Sequence, residues 1–182
     1  METKELEANL NSLDNAVKGL GQSIMSMRNG IAQCEQMANQ LESRAQSILS
    51  SASSEEDPSR ASQMYDQAYA CLGQADNYRS QADNLRSQVD GMASELRGYK
   101  SEYSSYMAEG QTNLANLKIA AEQLTSAAGS RYGAAKIKEA LTAARQRMVY
   151  NQNLINGCQK RISWIDSICG PGDGGYTKVK RR

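Results

Sequence analysis

Apolar residues recur at alternate intervals of four and three through the first fifty positions: Leu6, Leu10, Leu13, Val17, Leu20, Ile24, Met27, Ile31, Cys34, Ala38, Leu41, Ala45, Ile48 and Ala52. This spacing averages 3.5 residues, so it draws a narrow apolar stripe that winds around a helix and needs partner helices to cover it. The stripe resumes in the same phase from Ala61 and Met64 through Ala68, Cys71, Ala75, Tyr78, Ala82, Leu85, Val89, Met92 and Leu96 to Tyr99, Tyr103 and Tyr106. Between the two runs lies SSASSEEDPS, residues 50–59, with little to bury. Its Asp57-Pro58 pair reads as an N-cap followed by proline at the first helical position, where a missing N–H costs nothing. The pattern therefore predicts one helix over about 3–53 and a second starting at 58.

The next heptad places are Gly110 and Asn113, and Thr112 can cap a new start, so the second helix is expected to end near 109 and a third to run over about 112–169. Its stripe is less regular. Leu114, Leu117, Ala121, Leu124 and Ala128 come first, then Ile137, Leu141, Ala144, Met148, Asn151, Ile155, Cys158, Ile162, Ile165 and Cys169. The phase shifts across Gly129, Ser130 and Gly133, where each glycine costs ~1 kcal/mol of helix propensity, so the third helix is expected to be kinked or split near 129–133. Asn151 is a polar residue on an apolar stripe, the kind that sets register against a partner.

Three stretches of similar length joined by short connections predict an all-α fold, an elongated antiparallel helical bundle or coiled coil forming one domain over 1–169, followed by a glycine-rich basic tail at 170–182. With turns near 55 and 110, Tyr99, Tyr103 and Tyr106 would stand level with Leu6 and Leu10 on one side and with Leu114 and Leu117 on the other. Each could bury its ring and wet its hydroxyl. Charge is unevenly divided: four basic and nine acidic residues in 1–57, five and seven in 58–110, twelve and four in 111–182. An acidic first helix and a basic third one favour folding together within one chain over parallel pairing of first helices.

Composition narrows the classes. The chain has 182 residues, 23% of them charged, with no Phe, one Trp and two Pro. No apolar run approaches the ~20 residues of a membrane span, and METKELEANL is acidic and polar where a signal peptide would be basic and then apolar. The expectation is a protein made in the cytoplasm, with leaderless export open to it. Cys34, Cys71, Cys158 and Cys169 all fall on the stripe, where a free thiol packs as a small apolar group. On the end-to-end arrangement Cys71 would lie roughly 13 Å along the bundle from Cys158, too far to bridge. There is no Cys-x-x-Cys and no histidine, which removes the common zinc sets, the Ser-His-Asp triad and the Cys-His pair. Glu55, Glu56 and Asp57 read as a solvated charge run in a turn, and the tail Gly170-Pro171-Gly172-Asp173-Gly174-Gly175 lacks the Lys-Ser/Thr of a phosphate-binding loop. No catalytic, cofactor or metal residues are expected, nor a small-molecule substrate.

Other residues suit interaction. Trp164 stands one place off the stripe, where it can cement the end of a bundle or anchor a partner. Lys178, Lys180, Arg181 and Arg182 could make salt-sensitive contacts with phosphate or anionic lipid, or simply end the chain.

A nearly all-helical chain without a leader, rich in Ala, Ser, Gln and Asn, with amphipathic hairpins over residues 1 to about 169, resembles the WXG100 and LXG-associated helical proteins of type VII secretion in Gram-positive bacteria. Leu96-Arg97-Gly98 matches Leu-x-Gly, whereas Trp164 has no glycine two places on and no tyrosine stands four residues ahead of an acidic one. The resemblance implies heteromeric helix pairing and co-export with an effector. The expected function is a non-enzymatic helical protein–protein interaction module, an adaptor or partner protein. A self-assembling structural rod is the first alternative, and a nucleic-acid or anionic-surface tether acting through the tail is the second.

Overall fold

A computed structural model describes residues 3–127 and 133–170. They form three helices: α1 (Thr3–Ser53), α2 (Pro58–Ala127) and α3 (Ala134–Cys169). There is no strand among the described residues. Helix α1 packs on α2 and α2 on α3, an all-α arrangement. None of the described helices is long and apolar enough to cross a membrane.

The first connection forms as its sequence dictates. Asp57 takes the N-cap of α2: its Oδ1 accepts the N–H of Ser59 at 2.9 Å and its carbonyl accepts the N–H of Ala61 at 2.9 Å. At the other side the N–H groups of Ser54 and Glu55 return to the carbonyls of Ser51 and Ala52, closing α1 with a tighter last turn.

The second connection is not where Gly110 suggested. Helix α2 continues through Gly110 for another seventeen residues to Ala127, and the Thr112 hydroxyl donates back to the carbonyl of Ala108 at 3.0 Å instead of capping anything. The physical reason is a close approach. A methyl group placed on Gly110 would stand 3.2 Å from Ile155 Cγ1 and 3.3 Å from Leu154 Cδ2 of α3. Helix α2 thus accepts a costly residue so that α3 can lie near its backbone. The levels deduced from a turn at 110 fall with it, because residues 99 to 117 share one helix. So do the expected boundaries of 58–109 and 112–169. The phase shift at 129–133 marks the actual break: α2 ends at Ala127 and α3 begins after Gly133, which caps it in the left-handed region at φ 102°. Gly129 and Ser130 lie outside the described residues.

The three helices are unequal, at 51, 70 and 36 residues, and the chain divides into two compact units, Met1–Ser94 and Glu95–Arg182. The first joins α1 to the opening part of α2. Its buried positions include Ala38, Ala45 and Ala52 on α1 and Ala68, Ala75 and Ala82 on α2, all 3% exposed or less and all seven residues apart. A methyl group can be hidden this completely only if two helix axes sit at the close end of the roughly 8–10 Å range of helix packing. Away from the connection the same positions are filled by Ile31 and Val89.

The second unit pairs the later part of α2 with α3. Ala144, Asn151, Cys158 and Ile165 repeat every seven residues and are buried, joined by Ile155 and Ile168, while Leu96 and Tyr103 of α2 are fully enclosed. Lys100 Nζ bonds both carboxylate oxygens of Asp166, at 2.7 and 2.9 Å, and the Arg161 guanidinium lies over the Tyr103 ring at 5.9 Å. These contacts fix an antiparallel register.

Gly19 and Gly98 lie in helix interiors with open space around the position of a Cβ. Alanine at each is expected to stabilise by about 0.5–1 kcal/mol. Thermal melting of the two variants, each about 2–4 °C per kcal/mol above the parent, checks this.

Candidate interaction surface

The α1·α2 hairpin of the first unit has two unlike sides. Helical geometry places the residue four positions after each buried alanine to one side of the seam and the residue three positions after it to the other. On the first side stand Glu35, Glu42 and the half-buried Leu49 of α1 and the half-buried Leu72, Arg79 and Arg86 of α2. The charged ones meet as Glu42 with Arg79 and Glu35 with Arg86, and each arginine also reaches back one turn, Arg79 to Asp76 at 3.9 Å and Arg86 to Asp83 at 2.6 Å. The result is a Glu–Arg–Asp triad repeated after seven residues. Each exposed pair contributes about 0–1 kcal/mol, so the triads hold register more than they stabilise.

On the other side stand Cys34, Leu41 and Ile48 of α1 and Cys71, Tyr78 and Leu85 of α2, all half-buried. Leu85 leans across the seam to within 3.3 Å of the Cβ position of Gly30. The outer margin on α2 is a column of glutamines at heptad spacing, Gln67, Gln74, Gln81 and Gln88, all exposed. On α1 the margin includes Met37, 40% exposed.

Charge is segregated with the same regularity. Between residues 25 and 53 and between 62 and 91 there are ten charged side chains, and eight of them (Arg28, Glu35, Glu42, Asp76, Arg79, Asp83, Arg86 and Asp90) belong to the triad side. Of the other two, Arg44 stands on the margin of the apolar side itself, one heptad from Met37, and Asp66 lies on the outer face of α2. The apolar side is bordered chiefly by amides and hydroxyls, with Arg44 as its charged member. Depletion of charge around exposed Met, Tyr and aliphatic groups is the compositional mark of a surface that is covered by another protein.

Of the residues singled out from sequence, Tyr99, Tyr103, Tyr106, Asn151 and Trp164 all fall in the second unit. Tyr103 is fully buried and so presents nothing to a partner; Tyr99 and Tyr106 are half-buried. The Tyr99 hydroxyl donates to Glu95 Oε1 at 3.3 Å, and partial burial together with the carboxylates of Glu95 and Glu102 pushes its phenol above the ordinary range. Asn151 is buried, with its amide turned back to the carbonyl of Arg147 at 2.8 Å within its own helix. Trp164 is 36% exposed, one turn from Arg161 and close to Asp166, whose partners Tyr103 and Lys100 place it at the level of the tyrosines. Lys178, Lys180, Arg181 and Arg182 lie outside the described residues.

None of the four cysteines is in a disulfide; Cys158 is buried and the others are half-buried. Among the described residues no three of His, Cys, Asp and Glu gather as metal ligands would. The charge-poor hairpin face was missed in reading the sequence. Its signal was there, in the heptad spacing of the four glutamines and of the Glu, Arg and Asp triads.

What the fold and this surface define is an all-α protein of packed amphipathic helices. Compared with known protein families, with curated proteins and with solved structures, the chain matches none.

Proposed function

We propose that the chain is a non-enzymatic protein–protein interaction module whose working surface is the apolar, charge-poor side of the α1·α2 hairpin. One observation carries this reading: a half-exposed apolar seam, Cys34, Leu41, Ile48, Cys71, Tyr78 and Leu85, runs between margins that hold a single charge, Arg44, while eight charges stand on the opposite side. A helix face that met only water would gain nothing from such segregation, whereas a face that receives other helices avoids desolvating charged groups. Where the partner is a different protein, the resemblance to the helical proteins of type VII secretion makes a co-exported helical protein the first to test.

The test is affinity purification of the tagged chain beside a variant carrying Gln67→Glu, Gln74→Glu, Gln81→Glu and Gln88→Glu. These positions are exposed, so the helix should form as before. Loss of the co-purifying protein by the variant, with an unchanged circular dichroism spectrum, supports the reading. Retention of every bound protein by the variant would end it.

A further inference from the structure

We infer that the occupant of this face is a second copy of the chain, two hairpins meeting apolar side to apolar side as a four-helix arrangement. The inference rests on the reading above and goes further by naming the partner.

Three observations lead to it. The first is charge. Two copies meeting through their triad sides would bring together five carboxylates and three guanidiniums from each, Glu35, Glu42, Asp76, Asp83 and Asp90 against Arg28, Arg79 and Arg86, so like charges would dominate. The apolar side brings only Arg44 from each copy, and the margin of Gln67, Gln74, Gln81 and Gln88 offers amides, each both donor and acceptor and therefore able to pair with its own kind. With one charge per copy, this face repels itself far less than the triad side does.

The second is size. The seam from residue 27 to 51 runs about 36 Å at about 1.5 Å per residue, and two helices side by side are about 20 Å wide. That gives roughly 700 Å² per copy and about 1,400 Å² in total, inside the roughly 1,200–2,000 Å² of stable specific interfaces.

The third is symmetry. The seam is the same on both sides of its middle. Leu41 and Tyr78 share a level, as the register of Glu42 with Arg79 requires, and a cysteine and an aliphatic residue follow one heptad away in each direction: Ile48 with Cys71 one way, Cys34 with Leu85 the other. A two-fold axis through the Leu41 level therefore sets a large residue against a small one at each flanking level, Ile48 against Cys34 and Leu85 against Cys71, as a closed pair of interdigitating faces needs.

Sedimentation equilibrium on the full chain between about 1 and 100 µM reads the result. The wild type should weigh twice the 19.9 kDa chain, and the variant with glutamate at 67, 74, 81 and 88 should dissociate at least tenfold more readily. Asn39→Lys with Gln46→Lys, which alters charge on the triad side, should stay dimeric. A second probe, Leu41→Glu, should be monomeric with its helix content retained. A wild type that stays monomeric at 100 µM overturns the inference, and so does a dimer that survives the four glutamates. A monomeric wild type whose co-purifying protein is lost by the glutamate variant would overturn self-pairing alone and leave the interaction reading standing.

Discussion

Replacing Tyr103 with alanine will lower the free energy of unfolding by about 3–5 kcal/mol, the range for deleting a large buried ring. Tyr103 is the bulkiest of the fully enclosed side chains, with none of its surface exposed, and its ring carries the Arg161 guanidinium. Alanine leaves a void that neighbouring helices can close only in part, and it leaves that cation without its aromatic partner. Tyr103→Phe keeps ring and cation together and should lose less than half as much. Urea unfolding followed by circular dichroism measures both. Equal losses in the two variants would show that the hydroxyl, and not the ring, holds the site.

The second large effect is expected from adding volume where there is none to spare. Ala45→Leu should destabilise by about 1–3 kcal/mol, and Ala45→Leu with Ala75→Leu by more than either alone, because both methyls are hidden in the seam between α1 and α2. Leucine is a better heptad residue than alanine in a generic coiled coil, so sequence pattern alone predicts the opposite sign. The structure reverses it: helices held together by a column of alanines must separate by more than an ångström to admit leucine, and separation breaks the Glu42–Arg79 and Glu35–Arg86 pairs along the same seam. Gln46→Leu, on the exposed neighbour, is the control and should change stability by less than about 0.5 kcal/mol. A gain in stability for Ala45→Leu would mean that the axes are not closely spaced.

The heptad positions show how far pattern carries. Ile24, Ile31, Ala38, Ala45 and Ala52 were legible as one buried row because seven-residue spacing leaves a helix no other face to hide. Asp57-Pro58 was legible as a helix start because capping is decided within four residues of chain. The cysteines could be assigned to the seam for the same reason, though only Cys158 proved fully buried. Gly110 was misread. A glycine at a heptad position serves equally as a helix end and as a place where another backbone comes near, and the residues that tell these apart, Leu154 and Ile155, stand more than forty positions away. Asn151 was misread in a milder way: its amide bonds within its own helix, so the register it was expected to set is held instead by Lys100 with Asp166 and by Arg161 with Tyr103.

By itself the sequence determined that this protein is helical, which residues line each buried stripe and where the second helix begins, because propensity, periodicity and capping act over a few residues at a time. Tertiary structure alone decided that α2 runs on past Gly110, that α3 pairs with its later part, and that ion pairs between α1 and α2 line one flank of the hairpin seam. Those outcomes depend on which helix lies beside which and on what side, and contacts between residues distant along the chain are set by the mutual fit of whole faces, which no local window contains.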